Sequence, residues 1–357
     1  MFPFQGDAHL KLRDTIVHMN KERTPTQAYA NMMTIIQSSG TGKSRLVDKL
    51  AEVVFTLPFN LRDPKENECR FLQCSCAHHS DIQPIAGAFP LPDTEVYELL
   101  VGSTLGDTKY DVGARYCAFL ITLFEKAQSI LPSLEKSKPV AQSWRDYVVD
   151  LPNRRKLYTD VVASYGLIFE EFEKEVARRE QVESVSHASS QLVTALYPAQ
   201  KPSRTPATSA TRMVPTVLSI VAAERMTTAA KEFQRKIDTL SSPAPALIIL
   251  YFDESHSLHK VLPRDLKGAT RYAALCWALD TLRSTQMFTL FLSTNSNLSA
   301  YAPPRTRGRI SALEDNVQPL YTALSFDCHP GFPVNAAALS LKDTSKISFL
   351  CRFGRPL

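Results

Sequence analysis

The sequence predicts an α/β fold, with a mainly parallel sheet flanked by helices. Three observations carry that expectation. The run Ala246 to Phe252 is apolar throughout, as a parallel strand covered on both faces would be. Met32 to Ile36 and Met287 to Leu292 are two further apolar runs of strand length. Between these runs lie stretches with apolar residues at helical spacing, and strands alternating with helices make an α/β sheet.

Taken in order, Ala8 to about Lys21 predicts a first helix, with Leu10, Ile16 and Met19 near one face. Met32 to Ile36 is a short buried strand. The turn Gln37 to Gly42 leads into SRLVDKLAEVVF, where Leu46, Val47, Leu50, Val53 and Val54 oppose Arg45, Asp48, Lys49 and Glu52. Pro58 is expected to end that helix. A second strand is expected at Arg70 to Ser75. Helices follow over Gly113 to Leu131 and Arg154 to Glu180, the latter with Leu157, Val161, Val162, Tyr165, Ile168, Phe169 and Phe172 along one side. These helices are expected to form a sub-bundle within a helical insertion over 100–240. From Ser184 to Pro215 the chain turns to Ser, Thr, Ala and Pro, with Pro198, Pro202 and Pro206, and is expected to be a flexible loop. Helical pattern resumes over Thr216 to Leu240, and again over Arg271 to Arg283 between the last two strands.

Composition bounds the class. The 357 residues are 44% hydrophobic and 22% charged, as in a globular protein and not a disordered or fibrous one. Length alone allows one large or two ordinary domains, and the elements read as a single domain over 1–357. A net charge of +5 is too small to name nucleic acid or membrane as a partner. No apolar run approaches the length that spans a bilayer. The N-terminus lacks the basic start and apolar stretch of a secretory signal, and seven irregularly spaced cysteines suit a reducing compartment. An intracellular protein, cytoplasmic or nuclear, is expected.

The chemistry concentrates in two places. Gln37-Ser-Ser-Gly-Thr-Gly-Lys-Ser44 matches the phosphate-binding pattern GxxxxGK[ST] except at its first glycine, which is Gln37. In that pattern the backbone N–H groups of Ser39, Gly40, Thr41 and Gly42 curl round phosphates. Lys43 reaches the terminal phosphates, and the Ser44 hydroxyl ligates Mg²⁺. The helix that starts there adds the positive end of its dipole. The plain alternative is a Gly/Ser-rich turn that carries GKS by accident. The second place is Asp253-Glu254, at the carboxyl end of the buried run. Asp253 is then placed to hold Mg²⁺, and Glu254 to orient or deprotonate a water that attacks the γ-phosphate. An acidic strand end at the surface is the alternative.

Other clusters carry less. Ser293, Thr294 and Asn295 end the last strand, and a polar residue there, Asn295 being the choice, could touch the γ-phosphate or the water. Arg305, Arg307 and Arg309 could stabilise phosphoryl transfer or meet a neighbouring chain, but read better as a solvated basic loop. Cys74, Cys76, His78 and His79, with Cys69 nearby, lack zinc-module spacing. His256 and His259 flank the acidic pair; the first could sense phosphate, although single histidines are more often structural.

QSSGTGKSR, DESH and STNS together resemble the ASCE-type P-loop NTPases, which carry a catalytic glutamate beside the Mg²⁺ aspartate. More specifically, MMTIIQSSGTGKSRLVDKLAEVVFTLPFNLR, ALIILYFDESHSL and the terminal RFGRPL are similar to the NTPase modules of fungal Crinkler-like proteins. The resemblance implies binding and Mg²⁺-dependent hydrolysis of a nucleoside triphosphate, ATP or GTP, as the motor or switch of an effector-like protein. Because 210 positions separate Lys43 from Asp253, it also implies a large helical insertion between the Walker A and Walker B motifs. A C-terminal lid or effector domain is expected to be absent. Two other functions stay open. One is a nucleotide-binding pseudo-NTPase that switches an interaction, with a protein partner or a second copy. The other is a fragment of a DExH-type helicase, which would need a second domain that the roughly 60 residues after Asn295 do not provide.

Overall fold

The computed structural model describes residues 6–22, 31–37, 42–65, 92–102, 108–196, 216–242, 245–262, 268–294, 340 and 342, with backbone alone for 182–196. Its centre is a four-stranded, all-parallel sheet in the order β1-β4-β3-β2. The strands are β1 (Met32–Ile36), β2 (Phe55–Asn60), β3 (Ile248–Asp253) and β4 (Met287–Ser293). Helices cover both faces, so β1, β3 and β4 read as mainly apolar runs and not as alternating ones.

Period-two alternation divides the sheet between two cores. Ile35, Ile249, Tyr251, Leu290 and Leu292 pack against α1 (Ala8–Glu22) and α2 (Lys43–Leu50). Phe59, Leu250, Phe252 and Phe291 point the other way, into a larger core. That core includes α3 (Lys109–Ile130), α5 (Leu151–Leu196), α6 (Val217–Asp238) and α7 (Arg271–Asp280). The helices expected to form a sub-bundle pack on one another and on the sheet, α3 and α6 sharing one apolar cluster with the strands. Phe124 stacks on Phe233 at 5.0 Å, and Phe59 on Phe252 at 4.5 Å. Three of the helices start on the threonine caps Thr108, Thr216 and Thr270, each side chain accepting from a backbone N–H three residues on.

Pro58 does not end a helix. Helix α2 stops at Leu50 and Pro58 sits inside β2, paired with Tyr251. The reason lies in the position of β2 at the end of the sheet. Alternate residues of β2 turn their main-chain groups away from β3, and at Pro58 the missing N–H is the one that would have faced outward. The outward carbonyls and the Asn60 N–H are capped. Trp144 of α4 (Val140–Val149) donates to the Thr56 carbonyl at 2.7 Å, and Tyr158 donates to the Pro58 carbonyl. Asn60 N donates to Asp93 Oδ2 at 2.7 Å, while its carbonyl accepts from Asp93 N at 3.0 Å. A buried, bidentate Arg154 completes the cap with two 2.7 Å bonds to Asp93. The edge is closed to a further strand.

The expected loop from Ser184 begins as helix, since α5 continues to Leu196. Ser and Thr only weaken a helix, and the first residue able to break this one is Pro198. Residues 197–215, the expected strand at Arg70 to Ser75 and the terminal RFGRPL lie outside the described residues. Among the described residues no helix is long and apolar enough to cross a membrane.

Candidate functional site

Strand order brings the two motifs together. Tyr251 and Ile249 face α2, so the same alternation turns Asp253 to the α2 side of β3. Ser44 lies in the first turn of α2, directly after the loop that leaves β1. Its hydroxyl donates to Asp253 Oδ2 at 2.5 Å across 209 positions of sequence. Gly42, with φ 86°, caps α2 in the left-handed region that the tight turn requires and that glycine enters without strain. Lys43 is buried, and its ammonium donates to the Gln37 carbonyl at 2.7 Å, back across the mouth of the loop. Ser39, Gly40 and Thr41 lie outside the described residues.

Gln37 departs from the glycine of the pattern without a backbone conflict. Its N–H donates to the Ser293 carbonyl at 3.2 Å, which extends the β1–β4 ladder. Among the described residues Glu254 is the only non-glycine residue with positive φ, so Gln37 is not held in a left-handed conformation.

Asp253 and Glu254 occupy opposite environments. Asp253 is 2% exposed, and burial pushes its carboxyl upward, partly countered by the Ser44 hydrogen bond. Burial also acts to raise Glu254, but His256, Arg62 and Thr294 outweigh it and hold its carboxyl below the usual range. His256 Nδ1 lies 3.2 Å from Oε2, Thr294 donates to Oε2 at 3.2 Å, and an Arg62 guanidinium nitrogen lies 3.6 Å from Oε1. Burial depresses Lys43, with Glu254 and Asp253 opposing the shift. His259 is lowered to about 4 by burial and then by His256, and its ring packs 5.1 Å from Tyr272.

Four sequence-derived site residues therefore meet at the carboxyl ends of the strands: Lys43, Ser44, Asp253 and Glu254. Gly42 holds the turn beside them. Asn295 lies outside the described residues, as do Arg305, Arg307, Arg309 and the Cys69 to His79 cluster. Its neighbour Thr294 touches Glu254. Arg62 was missed because Pro58 concealed β2. The usable signal was the alternation of Phe55, Leu57, Phe59 and Leu61 with a cation directly after it. Among the described residues, no group of three or more His, Cys, Asp or Glu is placed to hold a metal by itself. Comparison with protein families, characterised proteins and solved structures finds no match for the chain.

Proposed function

We propose that the chain binds a nucleoside triphosphate, ATP or GTP, together with Mg²⁺ at the carboxyl ends of β1, β4 and β3, and hydrolyses its β–γ bond as a P-loop NTPase. One observation carries the reading: the Ser44 hydroxyl sits on the Asp253 carboxylate, joining residues that this chemistry needs side by side. Helices α3 to α6 would then be the insertion between the two motifs.

The residues present fit Mg²⁺. Ser44 and Asp253 supply hard oxygen donors, and a buried carboxylate whose ionisation is disfavoured gains from a divalent cation. The ion would take its other ligands from phosphate and water. When bound, it would neutralise charge on the phosphates. Lys43 would move its ammonium from the Gln37 carbonyl to the terminal phosphates, exchanging a neutral acceptor for a charged one. Glu254, held ionised by its neighbours, accepts a hydrogen bond from water and orients it. Its lowered pKa suits orientation better than outright deprotonation, and phosphoryl transfer draws mostly on positioning and charge stabilisation.

Two variants test this. Lys43→Ala should weaken binding of Mg²⁺-nucleotide, measured by calorimetry. Glu254→Gln should bind like the parent and lose about a hundredfold or more in hydrolysis. If both bind like the parent, the loop is not a phosphate site. If Lys43→Ala alone has an effect and the parent shows no turnover, the nucleotide is a switching ligand and the pseudo-NTPase function replaces the enzyme.

A further inference from the structure

Glu254 has φ 54° and ψ 40°, a left-handed conformation that a residue with a side chain adopts only under strain. Such strain persists only where the surroundings over-determine it, and it gathers at functional positions. Here it turns the chain out of β3 into the 3₁₀ turn Ser255–His259. That turn is pinned on both sides. Ser255, fully buried, donates its hydroxyl to the Leu292 carbonyl of β4 at 3.0 Å, and Ser257 donates to the Leu61 carbonyl beyond β2 at 3.0 Å. Ser257 N closes the turn on the Glu254 carbonyl at 3.2 Å.

His256 lies between the two anchoring serines, and the turn carries its ring back over the residue two places before it. Nδ1 reaches Oε2 of Glu254 at 3.2 Å, with imperfect alignment. Contacts of this kind are often loose before substrate binds and tighten in the reacting complex. The other groups around the carboxylate come from three elements: Arg62 after β2, Thr294 after β4, and Lys43 of α2, with Asp253 adjacent in the chain. Thr294 and His256 both address Oε2, whereas Arg62 approaches Oε1.

We propose that His256 is a positioning residue for Glu254: through Nδ1 it fixes the rotation of the carboxylate, so that the carboxylate meets the attacking water in one orientation. The inference rests on the reading of Glu254 as the water-orienting group. It differs from a structural role for the histidine, because the turn is already held by Ser255 and Ser257.

The test uses the full chain with Mg²⁺-ATP and Mg²⁺-GTP. His256→Ala should lower kcat by about ten- to a hundredfold and leave KM within about twofold, as expected when an orienting partner is removed. His256→Asn places an amide N–H near the position of Nδ1 and should restore most of kcat. His256→Gln places its amide near Nε2 and should not. In a Glu254→Gln background, His256→Ala should add nothing, since both changes disable one group. Nucleotide affinity equal to the parent's shows that each variant is folded. A parent that hydrolyses nucleotide, with His256→Ala indistinguishable from it, overturns this inference alone. So does a loss of kcat that Gln restores and Asn does not, or one that persists undiminished in the Glu254→Gln background. A parent without hydrolysis overturns the enzyme and this inference together.

Discussion

The left-handed backbone at Glu254 can be isolated from its side chain by comparing Glu254→Ala with Glu254→Gly. Both variants delete the contacts to His256, Arg62 and Thr294, so those losses cancel between them. What remains is the backbone. At φ 54° alanine bears a penalty of about 1–2 kcal/mol that glycine does not. Glycine gives back about 0.5–1 kcal/mol, because its unfolded chain is freer. The Gly variant should therefore be the more stable, by about 0.75 kcal/mol at the middle of these ranges, the reverse of the order at an ordinary position. With a urea m-value of about 3 kcal/mol/M, the midpoints should differ by about 0.2–0.3 M. Equilibrium urea unfolding followed by circular dichroism resolves that gap. An Ala variant as stable as the Gly variant, or more so, would show that Glu254 is not strained, and the case for a carboxylate held in place at the expense of stability would fail with it.

Three further outcomes follow from the same site and its support. Lys43 is a buried cation in the first turn of α2, where the helix dipole opposes it, so Lys43→Met should raise apo stability by about 1 kcal/mol while abolishing nucleotide binding; an apo variant that melts below the parent contradicts this. Burial raises Asp253 above its unfolded 3.8, so its stabilising contribution is complete below that pH and is lost as pH rises through the folded value. Asp253→Asn should accordingly gain on the parent in melting temperature from acid toward neutral pH without Mg²⁺, and a gap that is the same at both pH values refutes it. Arg154→Ala leaves Asp93 buried and uncompensated and should cost about 3–5 kcal/mol in urea unfolding, and a variant no less stable than one lacking the exposed Lys156 refutes it.

The sequence revealed β1, β3, β4, α3 and α6 because each carries one clear period or one unbroken apolar run. It concealed β2, because proline normally argues against a strand and here fills the outward position of an edge. Helix α4, which carries the Trp144 that donates to the Thr56 carbonyl, is not among the helices expected from the sequence. The end of α5 was misread through composition: serine and threonine suggest a loop, but a helix already running for thirty residues needs a breaker to stop. At the site, Lys43, Ser44, Asp253 and Glu254 were legible because they lie within short motifs. Arg62 and Thr294 become partners of Glu254 only once strand order is known, and no local pattern encodes strand order.

That order explains why the acidic pair has two characters. With β4 between β1 and β3, the ends of the loop strand and the acidic strand stand about two strand spacings apart, roughly 10 Å. Asp253 can still touch the loop side, because alternation points it toward α2 and Ser44 reaches across. Glu254 falls past the end of the strand, where its left-handed backbone carries it away from Ser44, toward β2 on one side and β4 on the other. There it meets Arg62 and Thr294, each the second residue beyond Asn60 or the first beyond Ser293. Two adjacent carboxylates are thereby placed in different environments by one backbone conformation. One is buried against a hydroxyl, where a cation would compensate it, and the other is ionised and surrounded by donors. A right-handed or extended residue 254 would not make that turn, so the local strain and the contrast between the two carboxylates have the same cause.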